Sequence, residues 1–263
     1  MNIIFKDLFN KEPKEIIDDV YYYGSENAGD QFSEEEIREQ YETIFDRVFK
    51  NGRQIYPEAF NEIAKKVVML NLPYMEIACG PGFGITPFIK NLNPNIPSLI
   101  TDACPYIVKY WNEYVKKNNC KGYMNFASFD NTNMPLKDNS IDVVTSFLGI
   151  GSTRINGDDD MKCLKELYRV LKKDGYVFTI ESELEDYEMI DSIFKSANRC
   201  NYYHNPKVIG TLKERIEKAG FAIVETYNVG RYVTNAEDSE IAALAISQGK
   251  EFAWITNAYI FKK

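Results

Sequence analysis

From Pro73 to the C-terminus, short apolar runs alternate with stretches of helical periodicity, and this alternation constrains the chain more than any other feature. The runs are Tyr74–Cys79, Ser98–Thr101, Tyr123–Phe129, Ile141–Phe147, Tyr176–Glu181, Phe221–Val229 and Phe252–Phe261. Helical patterns lie between them, ending near Leu92 and Asn118 and spanning Asp159 to Leu171 and Lys207 to Ala219. Strands alternating with helices predict βαβ units, right-handed crossovers and a parallel sheet. Ligands of such sheets bind beyond the carboxyl ends of the strands, so the residues just after each strand carry the chemistry.

Residues 1–72 read differently. Ser33 followed by Glu36 is a capping-box pattern, with Ile37, Tyr41, Ile44, Phe45 and Val48 behind it at helical spacing. Asn51-Gly52 stops that helix, and a second runs from Ile55 to Leu70 with Pro57 in its first turn. Tyr21 to Phe32 is rich in Tyr, Gly and Asn and reads as a loop. The chain therefore divides into a helical cap or lid over 1–72 and an α/β domain over 73–263.

The first strand runs into Glu76-Ile77-Ala78-Cys79-Gly80-Pro81-Gly82-Phe83-Gly84. Glycines here let the backbone turn sharply and approach a ligand closely. Position 85 is Ile, so the GxGxxG dinucleotide fingerprint is not met, which argues against a nicotinamide-dependent oxidoreductase. A tight turn without a ligand is the plainer reading of this segment taken alone. Asp102 ends the second strand, twenty residues beyond Gly82, where a carboxylate can accept hydrogen bonds from both hydroxyls of a ribose. Its competing role is a cap for the helix that Pro105 opens. Asp130 and Asn131 end the third strand and can read an adenine edge, or simply form a turn.

Together these residues resemble the class I S-adenosylmethionine-dependent methyltransferases, in particular the methyltransferase type 11 group. The resemblance spans roughly residues 73–229. It rests on the turn from Glu76 to Gly84, Asp102, Phe129-Asp130 and the run from Pro135 to Val144. The segment Leu164 to Gly175 is similar to the family's helix and turn before its fifth strand, and Ala219-Gly220-Phe221 to its entry into the sixth. The resemblance implies a Rossmann-like, mostly parallel sheet of seven strands with helices on both faces and an antiparallel last strand. It implies S-adenosyl-L-methionine as cofactor, with Gly80 and Gly82 facing the methionine part, Glu76 and Ala78 in the supporting turn, and Asp102 and Ala103 at the ribose. Phe129, Asp130 and Asn131 fall at the adenine, and Phe147, after the fourth strand, is the last of the expected cofactor-binding residues. Ala78 stands where the family more often has Gly, a change that a slightly wider turn would accept. No Asn-Pro-Pro-Tyr-type tetrapeptide follows the fourth strand, which weighs against amino methylation of nucleobases or glutamine.

Other residues carry two readings each. Arg53 can pair with the cofactor carboxylate or face solvent. His204, the single histidine, lies in Tyr202-Tyr203-His204-Asn205-Pro206 and is either a general base toward an acceptor hydroxyl or an incidental loop residue. Tyr21, Tyr22 and Tyr23, with Tyr202 and Tyr203, are candidates for an aromatic substrate wall, or for core packing. Cys79 reads as a small buried residue. The net charge of −8 disfavours nucleic acid as a partner, and a small-molecule acceptor is expected instead. No apolar run reaches the ~18 residues of a membrane span. Five scattered cysteines without a CxxC pair fit a reducing cytoplasm and no metal site. Because the motifs report cofactor binding, a non-catalytic binding protein on the same fold is the other reading.

Overall fold

The computed structural model describes residues 3–24, 33–39, 56–119, 123–156, 159–186, 188–189, 192–193, 211–237 and 240–263. Among the described residues, nine strands form one sheet: β1 (Glu15–Ile17), β2 (Val20–Gly24), β3 (Tyr74–Ile77), β4 (Ser98–Asp102), β5 (Met124–Phe129), β6 (Ile141–Phe147), β7 (Leu171–Leu184), β8 (Ala222–Val233) and β9 (Ala253–Lys262). Their spatial order is β1-β2-β5-β4-β3-β6-β7-β9-β8. Strands β2 to β7 pair in parallel, whereas β9 inserts antiparallel between β7 and β8.

The central strands β3, β4 and β5 are buried at every position, as parallel strands covered on both faces must be. Alternate residues feed two cores. Tyr74, Ile100, Phe126 and Val143 pack with the helices Pro57–Leu70, Thr86–Leu92 and Pro105–Lys117. Met75, Leu99, Ala127 and Val144 pack on the other face with the helices Asp159–Val170 and Leu212–Lys218. The Pro57–Leu70 helix follows the sequence pattern: Pro57 sits in the first turn, a stripe of Ala59, Phe60, Ile63, Ala64 and Val67 is buried, and Asn71 ends it in the left-handed region. The capping box at Ser33 forms as read, with Ser33 N–H donating to Glu36 at 2.7 Å and Glu36 N–H donating to Ser33 Oγ at 3.2 Å.

Seven of the nine strands reproduce the expected sheet, including its antiparallel last strand. The other two correct the reading of the N-terminal segment. Tyr21, Tyr22 and Tyr23 do not lie in a loop; they form β2, which pairs in parallel with β5 through Tyr21–Ala127 and Tyr22–Ser128. The physical reason is local. Asp18 and Asp19 both take positive φ, a two-residue turn that folds β2 back on β1, and a Val-Tyr-Tyr-Tyr run favours extended backbone. Phe5, Val20 and Tyr21 are buried, so this part of the segment completes the sheet and its cores.

Candidate active site

The chain steps from β3 to β4 to β5 in one direction, then returns to the other side of β3 for β6 and β7. The reversal opens a crevice at the carboxyl end of β3, the switch point where open α/β sheets bind their ligands. Ala78 to Gly84 forms the turn at that point. Ala78, Gly80, Phe83 and Gly84 all have positive φ, between 47° and 57°. Ala78 takes the left-handed conformation itself, a region that glycine enters without strain. Gly84 has no alternative, because a Cβ there would lie 2.0 Å from Glu76 Oε1.

Glu76 is fully buried under this turn. Its Oε2 accepts from Ile85 N–H (3.2 Å), Thr86 Oγ1 (3.0 Å) and Thr145 Oγ1 (2.7 Å), joining β3 and β6 to the start of the next helix. Asp102 lies alongside. Its Oδ2 accepts from Gly80 N–H at 2.8 Å and its Oδ1 from Cys104 N–H at 2.9 Å. The cap of the Pro105–Lys117 helix is Cys104 with no side-chain bond, so Asp102 braces the turn before that helix and ties it to the glycine turn. Burial raises the Asp102 carboxyl to about 6, while the N–H groups of Cys104, Gly80 and Ala103 oppose the rise. Burial likewise pushes the Cys79 thiol well above its ordinary value, as suits a packed residue rather than a nucleophile.

Trp111 is a component that the sequence motifs miss. Its indole N–H donates to Gly80 O at 2.9 Å, and its ring stacks on Phe83 at 4.0 Å. Asp102 and Trp111 thus hold both backbone groups of Gly80. The available signal was the apolar stripe of Ile107, Val108, Trp111 and Val115, which places the indole on the sheet-facing side. A Cβ on Gly80 would find only Ala78 O within 4 Å, at 3.9 Å, so the described residues leave space at that position.

At the end of β5, Asp130 Oδ1 accepts from Thr132 N–H and Thr132 Oγ1, both at 2.8 Å, which is the turn-forming role. Asn131 is 4% exposed, and among the described residues nothing hydrogen-bonds its Oδ1, leaving an acceptor suited to an exocyclic amine. Ala103 O accepts from Ser128 Oγ at 3.1 Å, linking the β4 and β5 ends. Gly82 is buried within the turn. Phe129 packs in the core, and half-buried Phe147 packs on Phe60 with ring centroids 5.0 Å apart. The structure brings Glu76, Ala78, Gly80, Gly82, Asp102 and Ala103 together at the switch point. Tyr21–Tyr23 lie two strands from β4, beyond β5. There Tyr23, Phe129 and Asp130 line a cavity of about 470 Å³ with Lys11 and Asn133. Arg53, Tyr202, Tyr203 and His204 lie outside the described residues.

A crevice of this kind, with an acidic residue ending the second strand of the motif, is where open α/β sheets hold nucleoside cofactors. Residues 75–179 match a family model described as a methyltransferase domain. This segment is similar to the S-adenosylmethionine-dependent methyltransferases of the type 11 group, and the likeness supports S-adenosylmethionine as the cofactor. Among curated relatives, it is 27% identical over 177 residues to a demethylmenaquinone methyltransferase of Lactobacillus johnsonii, covering 59% of this chain and 71% of that one. It is 33% identical over 113 residues to a demethylmenaquinone methyltransferase of Bacteroides fragilis, covering 43% of this chain and 44% of that one. The chain thus spans less than half the length of the Bacteroides relative. Solved structures share the fold: a SAM-dependent methyltransferase from Aquifex aeolicus (TM-score 0.51, 16% identity, 88% of this chain and 99% of that one). A phosphoethanolamine N-methyltransferase from Haemonchus contortus with S-adenosylhomocysteine is also similar (TM-score 0.52, 16% identity, 89% and 59%). Among the described residues, no helix is long and apolar enough to cross a membrane.

Proposed function

We propose that this methyltransferase transfers the sulfonium methyl group to an N or O nucleophile on a small-molecule acceptor, in the cytoplasm, by direct displacement. The acceptor lone pair forms the new bond to the methyl carbon, the carbon–sulfur bond breaks, and sulfur keeps its electron pair. An amine acceptor needs only to be neutral. A hydroxyl acceptor needs a base, for which His204 is the candidate. The chain contributes alignment and exclusion of water.

The observation that carries this reading is the Gly80–Asp102 contact at the switch point. It holds a carboxylate against the glycine turn, where ribose hydroxyls can donate to its remaining lone pairs. Gly80 and Gly82 then face the methionine part, and Asp130 with Asn131 faces the adenine. The acidic chain and the names of the curated relatives support a small acceptor over a polyanion. The test is incubation with methyl-labelled cofactor and either the small-molecule or the macromolecular fraction of a cell extract. Label should appear in the small-molecule fraction. Label confined to RNA or protein overturns the acceptor class.

A further inference from the structure

We propose that Glu181 is a positioning residue for the methionine end of the cofactor site, a role that rests on the reading of Ala78 as part of that site. Glu181 lies near the carboxyl end of β7, two strands from β3, and is 1% exposed. Its Oε1 accepts from Ile150 N–H at 3.0 Å and from Thr179 Oγ1 at 2.7 Å, and its Oε2 accepts from Gly151 N–H at 3.0 Å. One buried carboxylate therefore grips two successive amides of the turn that follows β6.

That turn is pressed against the cofactor turn. A Cβ on Gly149 would lie 2.3 Å from Ser146 Oγ, 2.9 Å from Ala78 Cβ and 3.1 Å from Ile77 O. A Cβ on Gly151 would sit 3.0 Å from Glu181 Oε2. Both glycines are thus set by close approach, one toward Ala78 and the other toward Glu181. The turn is bound at its ends as well: Leu148 N–H donates to Ile180 O at 2.9 Å, and Ser152 N–H donates to Leu148 O at 2.9 Å. Leu148 itself takes a φ of 59°, which a bulky residue adopts only when its surroundings impose it. The path from Glu181 through Gly151 and Gly149 to Ala78 is continuous packing. Releasing the carboxylate frees two amides at once, so the turn loses its fixed distance from Ala78.

The test compares wild type, Glu181→Gln and Glu181→Ala by calorimetry with two probes, S-adenosylhomocysteine and adenosine, which lacks the homocysteine end. Glu181→Ala should weaken S-adenosylhomocysteine by about tenfold or more, the scale of one charge-assisted hydrogen bond, and leave adenosine within about twofold. Amide exchange at Ile150 and Gly151 should accelerate. Glu181→Gln keeps one acceptor oxygen and should recover part of the affinity. Unchanged S-adenosylhomocysteine affinity in Glu181→Ala overturns the proposal, as does parallel loss of both probes, which marks a residue of the fold alone. Failure of the wild type to bind S-adenosylhomocysteine would overturn the cofactor reading beneath it.

Discussion

The proposed ribose role makes the buried Asp102 carboxyl act on cofactor binding and on stability with opposite dependence on pH. Its carboxyl rises from an ordinary 3.8 to about 6 because burial penalises the charge more than the neighbouring N–H groups repay it. A folded-state value above the unfolded one means that folding takes up a proton in this range. The favourable contribution is complete below about pH 4 and disappears as pH rises through about 6. Two units correspond to about 3 kcal/mol that ionised Asp102 costs the ligand-free protein at neutral pH. In Asp102→Asn that titration is gone, so the stability difference between variant and wild type should move in the variant's favour by about 2–3 kcal/mol from pH 4 to 7.5. One amide then meets the Asn NH₂, so the offset at pH 4 should be unfavourable by about 1–3 kcal/mol. Binding runs the other way, because ribose hydroxyls donate best to the ionised carboxylate. S-adenosylhomocysteine should bind wild type about tenfold more weakly at pH 5 than at 7.5, and Asp102→Ala should lose about 2–4 kcal/mol of affinity at the higher pH. Urea unfolding across the pH series, with calorimetry at both ends, reads both quantities. Parallel stability curves for wild type and Asp102→Asn would refute the buried-carboxylate argument. Unchanged affinity in Asp102→Ala would refute the ribose role.

Three further outcomes follow from the site and the sheet. Ala78→Gly should stabilise the protein by about 1 kcal/mol, since relief of about 1–2 kcal/mol of left-handed strain exceeds the added unfolded-state entropy; equal or lower stability in urea contradicts the strain. Gly84→Ala should destabilise by more than about 3 kcal/mol, because strain adds to a collision with the buried Glu76 carboxylate. A melting temperature within about 2 °C of the parent would show that the turn gives way more easily than this packing allows. Deleting residues 1–24 should expose the β5 edge and strip Phe5, Val20 and Tyr21 from the core, giving a shortened chain that aggregates. A monomeric, cooperatively melting product would return the segment to the status of a separable cap.

The seven-stranded part of the fold is legible because parallel strands buried on both faces write themselves as continuous apolar runs. Tyr74–Ile77, Ser98–Asp102 and Met124–Phe129 are buried throughout. Strand β1 carries no such signal, since all three of its residues are exposed. Pairing of β2 with β5 joins residues about a hundred positions apart, which local periodicity does not encode. The Asp18-Asp19 turn between Ile17 and Val20 was the one readable sign of the hairpin. At the site, Gly80 and Asp102 stand out because each lies at the carboxyl end of a strand, the place where such sheets carry chemistry. Trp111 and Glu181 reach the site from within a helix and a strand, and only the register of packing reveals what they touch.

A crystal structure of the protein with S-adenosylhomocysteine would show whether the cofactor lies across the β3, β4 and β5 ends. Both ribose hydroxyls should lie within hydrogen-bonding distance of Asp102, the homocysteine end over Gly80 and the adenine beside Asp130 and Asn131. A homocysteine end that lies away from Gly80, or an Asp102 carboxylate that touches no ribose oxygen, would contradict this arrangement.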